Sequence, residues 1–153
     1  MKITAIRVYD EKLRPTIVNV TPAIFHNEVY DDYWVCVDTG DIYSTKGSYG
    51  FKKLKPAGTT AVYPKVHLRK ERKAKTVRIH RLVGHTLIPM NKKPENMSDT
   101  AWEIVKNNQE LLEYIYAESM ELNHIDENKW NYHPSNLEWV SRSGNRDAYW
   151  NSR

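Results

Sequence analysis

The last thirty residues of the chain are the part whose fold the sequence restricts most. Within residues 121–141, two short apolar-bearing strands flank a polar loop. The loop is rich in Asp and Asn, which favour turns, and residues 142–150 can then form a helix. The sequence therefore predicts a compact strand–loop–strand–helix unit that holds His124 among several amide side chains.

Further upstream, residues 62–69 and 76–80 alternate between apolar and polar side chains. Alternation is the pattern of a β-strand with two different faces. A charged turn at 70–74 separates the two stretches, so a two-stranded ribbon is expected. One face can pack on the protein while the other presents Tyr, Lys, His and Arg side chains. Such a ribbon fits the DNA major groove, and an ordinary hairpin with a polar side is the alternative.

Basic residues are concentrated in this same part of the chain. Residues 51–81 contain eleven Lys or Arg and one acidic residue, Glu71. Residues 91–121 contain seven acidic and three basic residues. This distribution is more informative than the net charge of +4, because it indicates a localised surface for a polyanion. A solvated basic hairpin is again the alternative.

The other segments predict strands and helices in an α+β fold. Short strands are expected at residues 3–9, 16–20, 33–37 and 42–44. A short helix at 81–88 should end at Pro89. In the acidic segment Ser98 to Thr100 offer helix caps, Thr100 with Glu103 fits a capping box, and Asn107-Asn108 can divide the segment into two helices.

Composition excludes several classes of protein. The single cysteine, Cys36, rules out an intramolecular disulfide and a multi-cysteine zinc site. No apolar run approaches the roughly 18 residues of a membrane span, and the N-terminus lacks a signal-peptide core. We therefore expect a cytoplasmic protein without a membrane partner.

The C-terminal unit carries residue types suited to phosphodiester hydrolysis. That reaction needs a base for water, a cation for the growing negative charge and a group that orients the base. Histidine suits the first task because its pKa lies near neutrality. Asn oxygens can bind Mg²⁺, and a further amide oxygen can accept the imidazole N–H.

Residues 122–145 resemble the ββα-metal motif of HNH endonucleases, in particular the phage and intron-encoded homing type. The matching stretches read Asn-His-Ile-Asp-Glu-Asn from Asn123 and Asn-Leu-Glu-Trp-Val from Asn136, followed by Asn145. The upstream stretch 77–83 resembles the family's Val-His-Arg-Leu-Val. The family often has Gly where this chain has Glu127. Two motifs in the expected order make the resemblance specific.

The resemblance implies a role for each matched residue. His124 is the general base toward water, Asn136 orients it, and Asn123 and Asn145 are metal ligands. One divalent cation, Mg²⁺ or Mn²⁺, is expected per active site. Because both ligands are neutral, we expect DNA phosphate to complete the metal site. One active site cuts one strand per binding event, so a monomer should nick, and a double-strand break needs a homodimer or a second event.

The predicted fold class is α+β: a small N-terminal β-sheet region with a basic β-ribbon, a helical spacer and a C-terminal ββα-metal motif. The corresponding regions are a β-rich DNA-binding region with a short helix (1–90), an acidic helical insertion (91–120) and the HNH motif (121–153). Double-stranded DNA is the expected partner of a monomer or homodimer, in a bacterial host if the protein is phage-encoded. The predicted DNA contacts are Lys52, Lys53, Lys55, Lys65, His67, Arg69, Lys70, Arg72, Lys73, Lys75, Arg78, Arg81, Arg142 and Arg146.

Two rival functions use the same surface. One is a catalytically inactive HNH-like DNA-binding regulator, which is disfavoured because all four matched positions keep usable chemistry. The other is an RNA-binding module, ranked lower because the sequence carries no RNA-binding signature. His80 and His85 are expected to pack near the short helix rather than to bind metal.

Overall fold

A computed structural model describes residues 1–46, 50–58 and 61–142. These residues form nine β-strands and three α-helices. The strands are β1 (Thr4–Tyr9), β2 (Pro15–Phe25), β3 (Glu28–Cys36), β4 (Ile42–Ser44), β5 (Lys52–Lys53), β6 (Lys65–Lys70), β7 (Lys73–Arg78), β8 (Met120–His124) and β9 (Leu137–Ser141). The helices are α1 (Ile79–Leu87), α2 (Asp99–Val105) and α3 (Gln109–Ser119). None of the helices in these ranges is long and apolar enough to cross a membrane.

Strands β1 to β5 form one antiparallel sheet in chain order. β2 and β3 are longer than the sequence predicted, because β2 continues past Pro22 through a bulge. Pro cannot donate to the ladder, and a bulge is one of the few places where a strand tolerates it. The two strands meet at a tight turn in which His26 and Asn27 both have positive φ.

Strands β6 and β7 form the predicted ribbon, a separate two-stranded antiparallel sheet. The turn is shorter than expected: only Glu71 and Arg72 lie between the strands, both with positive φ. On one face Val66, Leu68 and Val77 are buried in the main core with side chains from β2, β3 and α1. The opposite face is available to solvent.

Helix α1 begins directly after β7 and contacts β2, β8 and β9. Thr86 fixes it to β2, since its hydroxyl accepts from the Ile24 N–H and donates to the Ile24 carbonyl, both at 3.0 Å. Gly84 lies against Leu122 of β8, where a Cβ atom would collide with the leucine side chain. The helix therefore packs closely on the C-terminal strand pair.

The acidic segment forms α2 and α3, divided near Asn107-Asn108 as predicted. Ser98 caps α2 by accepting from the Ala101 N–H at 3.1 Å, and Asn108 caps α3. The predicted capping box of Thr100 with Glu103 was wrong, because Ser98 occupies the N-cap position and Thr100 lies inside the first turn. A second apolar cluster joins the two helices to the C-terminal strands; its buried members are Val105, Leu112, Tyr116, Met120 and Trp139.

Strands β8 and β9 pair antiparallel, as the sequence predicted for the C-terminal unit. A 3₁₀ turn, Pro134–Asn136, leads from the polar loop into β9. The helix expected after β9 lies outside the described residues except for Arg142. The mixed α and β fold and the pairing of the two C-terminal strands are thus confirmed. The full ββα arrangement stays a prediction.

Candidate active site

The pairing of β8 with β9 places Asn123 opposite Glu138 and His124 opposite Leu137. The Asn123 amide donates to Glu138 Oε1 at 2.9 Å. This hydrogen bond uses the nitrogen end of the amide and leaves its oxygen to other partners. Glu138 is therefore a carboxylate beside a predicted metal ligand, which the motif alone did not reveal. The cross-strand register would have revealed it, because facing residues share a face of the pair.

His124 ends β8 with its ring on the opposite face, toward α1. It is 6% exposed, and its Nε2 is buried without a hydrogen-bond partner within the described ranges. Burial lowers the pKa of His124 below its ordinary value, while the nearby Asp126 carboxylate acts in the other direction. The ring is therefore neutral near pH 7 and able to accept a proton.

The side chain of buried Asn136 holds the loop between the strands. Its Oδ1 accepts from the Asp126 N–H at 3.0 Å, and its Nδ2 donates to Asp126 Oδ1 at 2.9 Å and to the Asn131 carbonyl at 3.0 Å. In the described part of the chain no hydrogen bond joins Asn136 to the His124 ring. The orienting role of Asn136 stays a prediction, and the hydrogen bonds of its side chain act on the loop that follows His124.

Asp126 is the centre of this loop network. Besides Asn136, its carboxylate accepts from the Asn128 N–H and the Asn131 amide, both at 2.8 Å. The hydrogen bond from Asn131 is the largest cause that lowers the pKa of Asp126. Next to it, Glu127 has a φ of 64° and donates its N–H to the His124 carbonyl at 2.9 Å. The loop thus keeps the left-handed turn for which Gly is the usual residue, although the side chain here is Glu.

Three contacts attach the loop to the rest of the protein. The Tyr132 hydroxyl donates to Asp41 at 3.1 Å, and the Trp130 indole donates to the Ala61 carbonyl at 3.2 Å. The Lys129 ammonium lies 5.3 Å from the centre of the Tyr63 ring. The loop is therefore held against both the N-terminal sheet and the segment that precedes the ribbon.

His80, in the first turn of α1, lies directly against the predicted base. Its ring centre is 4.8 Å from that of His124 and 4.8 Å from that of Tyr63, on which it stacks. Burial, and then the neighbouring His124, lowers the pKa of His80 to about 3. Its Nδ1 is also buried without a hydrogen-bond partner among the described residues. His85, five residues further along α1, instead forms a buried hydrogen bond with Glu113 of α3.

Comparison with known proteins identifies this segment. Residues 114–146, which contain β8, the loop and β9, match the HNH endonuclease family. A solved structure of the HNH homing endonuclease I-HmuI, described as binding and cleaving DNA, matches with 26% identity and a TM-score of 0.50 over 80% of this chain. This part of the chain is therefore similar to the HNH endonuclease family. The chain spans 55% of the I-HmuI chain, and no curated protein sequence is significantly similar to it.

Some of the site residues that the motif predicts lie outside the described ranges. His124, Asn123 and Asn136 come together at the ends of β8 and β9 and in the loop between them. Asn145 and Arg146 lie outside the described residues. Within the described residues, no three His, Cys, Asp or Glu side chains form a metal-binding group. A cation at this HNH site would therefore depend on amide oxygens such as that of Asn123, with Glu138 as the nearby carboxylate.

Arginines converge next to the HNH site. Arg78, Arg81 and Arg142 line a cavity of about 240 Å³ together with His80 and Tyr63. Burial, and then the proximity of Arg78 and Arg142, lowers the pKa of Arg81. The positive charges are thus close enough to repel one another, with Glu121 offsetting part of that repulsion. An anion placed in this cavity would be stabilised.

A second cavity, of about 500 Å³, continues from the first along the ribbon, and the two cavities together form a basic groove. It shares Arg78 and Arg81 with the first and adds Lys65 and Lys75. Phe25 and His26, at the β2–β3 turn, also line it. His26 comes close to the ribbon because of how the β2–β3 hairpin packs, which the sequence around His26 does not indicate.

The other predicted DNA-binding residues fall into three groups. His67 and Arg69 are exposed on the outward face of the ribbon, where His67 Nδ1 lies 2.8 Å from the Thr76 hydroxyl. Lys70 is turned to the hairpin, donating to the Val29 carbonyl at 2.7 Å with Glu28 Oε1 at 3.5 Å. The remaining side chains are exposed, at the ribbon turn or near β5: Arg72, Lys73, Lys52, Lys53 and Lys55.

Proposed function

We propose that the protein is a metal-dependent DNA endonuclease that hydrolyses phosphodiester bonds with His124 as the general base. One observation carries the proposal: in the segment similar to HNH endonucleases, the buried imidazole of His124 follows Asn123, which is hydrogen-bonded to Glu138, and the neighbouring His80 lines a cavity with three arginines. A base, an oxygen donor for a cation and a phosphate-binding surface are the parts that this reaction needs.

In the proposed mechanism, His124 takes a proton from a water molecule whose oxygen attacks the scissile phosphorus. The bond to the leaving oxygen of the sugar then breaks, and that oxygen leaves with a proton from solvent. Asn123, with Asn145 as the second predicted ligand, would hold one Mg²⁺ or Mn²⁺. When bound, the cation neutralises the charge that grows on the phosphate oxygens. Glu138 accepts a hydrogen bond from the Asn123 amide nitrogen, so the amide oxygen of Asn123 is available to bind the cation.

Double-stranded DNA is the proposed substrate. The similarity to I-HmuI supports it, and so does the basic groove that leads from Arg142 past Arg78 and Arg81 to Lys65. In this proposal the arginines contact backbone phosphates, which position the duplex. The outward face of the ribbon, with His67 and Arg69, lies in the major groove.

Nicking of a supercoiled plasmid with Mg²⁺, with Mn²⁺ and with EDTA tests the proposal. We expect metal-dependent nicking by the wild type and a loss of roughly 10²-fold or more in His124→Ala, as for the removal of a general base. Lys12→Ala is the control, because Lys12 is exposed in the turn between β1 and β2. Equal nicking by wild type and His124→Ala would exclude the proposed base. Salt-sensitive DNA binding without nicking in any metal would instead favour an inactive DNA-binding protein.

A further inference from the structure

The second cavity of the basic groove combines positive charge with aromatic rings. Its cationic lining consists of four side chains: Lys65, Lys75, Arg78 and Arg81. Among the described residues that line this cavity of about 500 Å³, none is acidic. Such a lining attracts phosphate. Phosphate binding alone does not account for Phe25 and His26, the two aromatic side chains that also line the cavity.

The rings of Phe25 and His26 form a stacked pair. Their centres are 4.1 Å apart and their planes are inclined by 13°. His85 is almost equally distant from both, 4.9 Å from His26 and 5.0 Å from Phe25, so it lies beside the pair and does not cover the outer face of His26. Phe25 is buried, whereas His26 is exposed. The buried ring therefore supports an outer ring that a planar ligand can reach.

The backbone holds His26 in this place before any ligand binds. His26 and Asn27 both have left-handed φ values, 49° and 62°, at the tight β2–β3 turn. The Asn27 amide donates to the Glu110 carbonyl of α3 at 3.0 Å, which attaches the turn to the helix. A ring that is already positioned loses little conformational freedom when a ligand stacks on it.

The charge state of His26 favours stacking over phosphate binding. Partial burial of the ring, and then the neighbouring His85, Arg81 and Lys75, lower the pKa of His26 to about 4. The imidazole is therefore neutral near pH 7 and adds no positive charge to the cavity. Histidine is one of the side chains on which unstacked nucleobases stack. An aromatic ring within a positively charged groove is the usual arrangement in sites that bind single nucleic-acid strands.

We propose that this cavity binds one unstacked nucleotide of a DNA strand, with its base on His26 and its phosphates on the four cations. The inference rests on the proposed function, because DNA is taken as the substrate. Neighbouring bases cover both faces of a base within a duplex, so the nucleotide comes from a single-stranded stretch or is turned out of the helix. Arg78 and Arg81 line both cavities, so the bound nucleotide lies next to the HNH site.

Fluorescence anisotropy in EDTA, which prevents cutting, tests the proposal with three DNA probes. These are a fully paired duplex, the same duplex with one unpaired nucleotide, and a single strand. His26→Ala should weaken binding of the probes with an unstacked base roughly 5–20-fold, in the lower part of the range for base stacking. It should leave binding of the paired duplex unchanged. A loss with both unpaired probes supports a nucleotide turned out of the helix, and a loss with the single strand alone supports a single-stranded segment.

Two further variants separate stacking from other effects. His26→Phe keeps a flat ring and should bind all three probes like the wild type. Lys12→Ala, in the exposed β1–β2 turn, should do the same. The proposal is overturned by a His26→Ala variant that binds every probe like the wild type or loses affinity equally for all three. A His26→Phe variant as weak as His26→Ala, at the same melting temperature, would also overturn it. Failure of the proposed function appears separately, as a wild type that binds the single strand through His26 but neither binds nor nicks duplex DNA.

Discussion

At the scale of single residues, the Asn123–Glu138 pair decides the charge of the candidate metal site. A neutral amide beside a carboxylate is a stable hydrogen-bonded pair without a cation, at 2.9 Å. With Asn at position 123, only Glu138 of this pair carries a negative charge, whereas two carboxylates would carry two. This choice should make metal affinity modest until DNA phosphate adds further oxygen ligands.

Asn123→Asp should destabilise the metal-free protein and strengthen metal binding. The new carboxylate would face Glu138 at hydrogen-bond distance, and the repulsion of like charges costs on the order of 1–2 kcal/mol at a half-exposed site. We expect the melting temperature in EDTA to fall by about 2–8 °C and Mg²⁺ to restore it. Differential scanning fluorimetry with and without Mg²⁺ measures both effects.

Glu138→Gln in the Asn123→Asp background is the control for this prediction. It removes the repulsion, so the melting temperature in EDTA should return toward that of the wild type. An Asn123→Asp variant that melts like the wild type in EDTA and ignores Mg²⁺ would contradict the assignment.

Glu127 offers a second prediction, because its backbone has a left-handed φ of 64°. A left-handed backbone conformation costs a residue with a Cβ about 1–2 kcal/mol. Gly avoids this cost, but it makes the unfolded state more flexible, which offsets part of the stabilisation. Glu127→Gly should therefore raise the free energy of unfolding by up to about 1 kcal/mol, measured by urea denaturation. Glu127→Ala, which removes the charge and keeps the Cβ, should show no such gain; equal gains would point to charge instead.

At the scale of elements, α1 holds the site together. Its first turn carries His80 against His124, and Gly84 contacts β8. Its last turn carries His85, which is hydrogen-bonded to Glu113 of α3. The acidic insertion is thus attached to the same helix that supports the proposed base.

The buried hydrogen bond between His85 and Glu113 should contribute to this attachment. Removal of one partner leaves the other unpaired in the core, so Glu113→Ala should cost about 3–5 kcal/mol. Glu113→Gln keeps a hydrogen bond and should cost less. Guanidinium denaturation measures both, with exposed Glu110→Ala as the control that should stay within about 0.5 kcal/mol of the wild type. A Glu113→Ala variant as stable as the control would show that the pair is dispensable.

Periodicity and capping residues made most elements predictable, whereas contacts between distant elements were not. The ribbon followed from alternation around Val66 and Leu68, and the two acidic helices from Asn107-Asn108. The extension of β2 past Pro22 was missed, since a bulge is not visible in composition. The contact of His80 with His124 was missed for a different reason: it joins residues 44 positions apart and exists only once α1 has packed on β8.

At the scale of the whole molecule, charge is divided between a basic groove and an acidic helical side. The basic residues of the ribbon and of α1 share two adjoining cavities through Arg78 and Arg81. The acidic helices pack against Ile88, at the end of α1, and Trp139 of β9 through an apolar cluster. A polyanion should therefore bind at the basic cavities rather than on the acidic helices.

Salt dependence of DNA binding measures that surface. Each phosphate contact contributes about 0.9 to the slope of log affinity against log salt concentration. We expect Arg81→Ala and Arg69→Ala each to lower the slope by about that amount, in fluorescence anisotropy measured in EDTA to prevent cutting. Lys106→Ala, on the acidic side, should leave it unchanged. Equal slopes for all three variants would place the DNA elsewhere.

The two faces of the ribbon also have a consequence for how such a protein can change over generations. Val66, Leu68 and Val77 anchor the inner face, whereas His67, Arg69 and Thr76 are exposed on the outer one. Substitutions on the outer face cost the fold little. Under the proposed function, selection for a new target site can therefore act there while the residues around His124 stay the same. A library randomised at those three positions would be a practical route to altered cleavage preference.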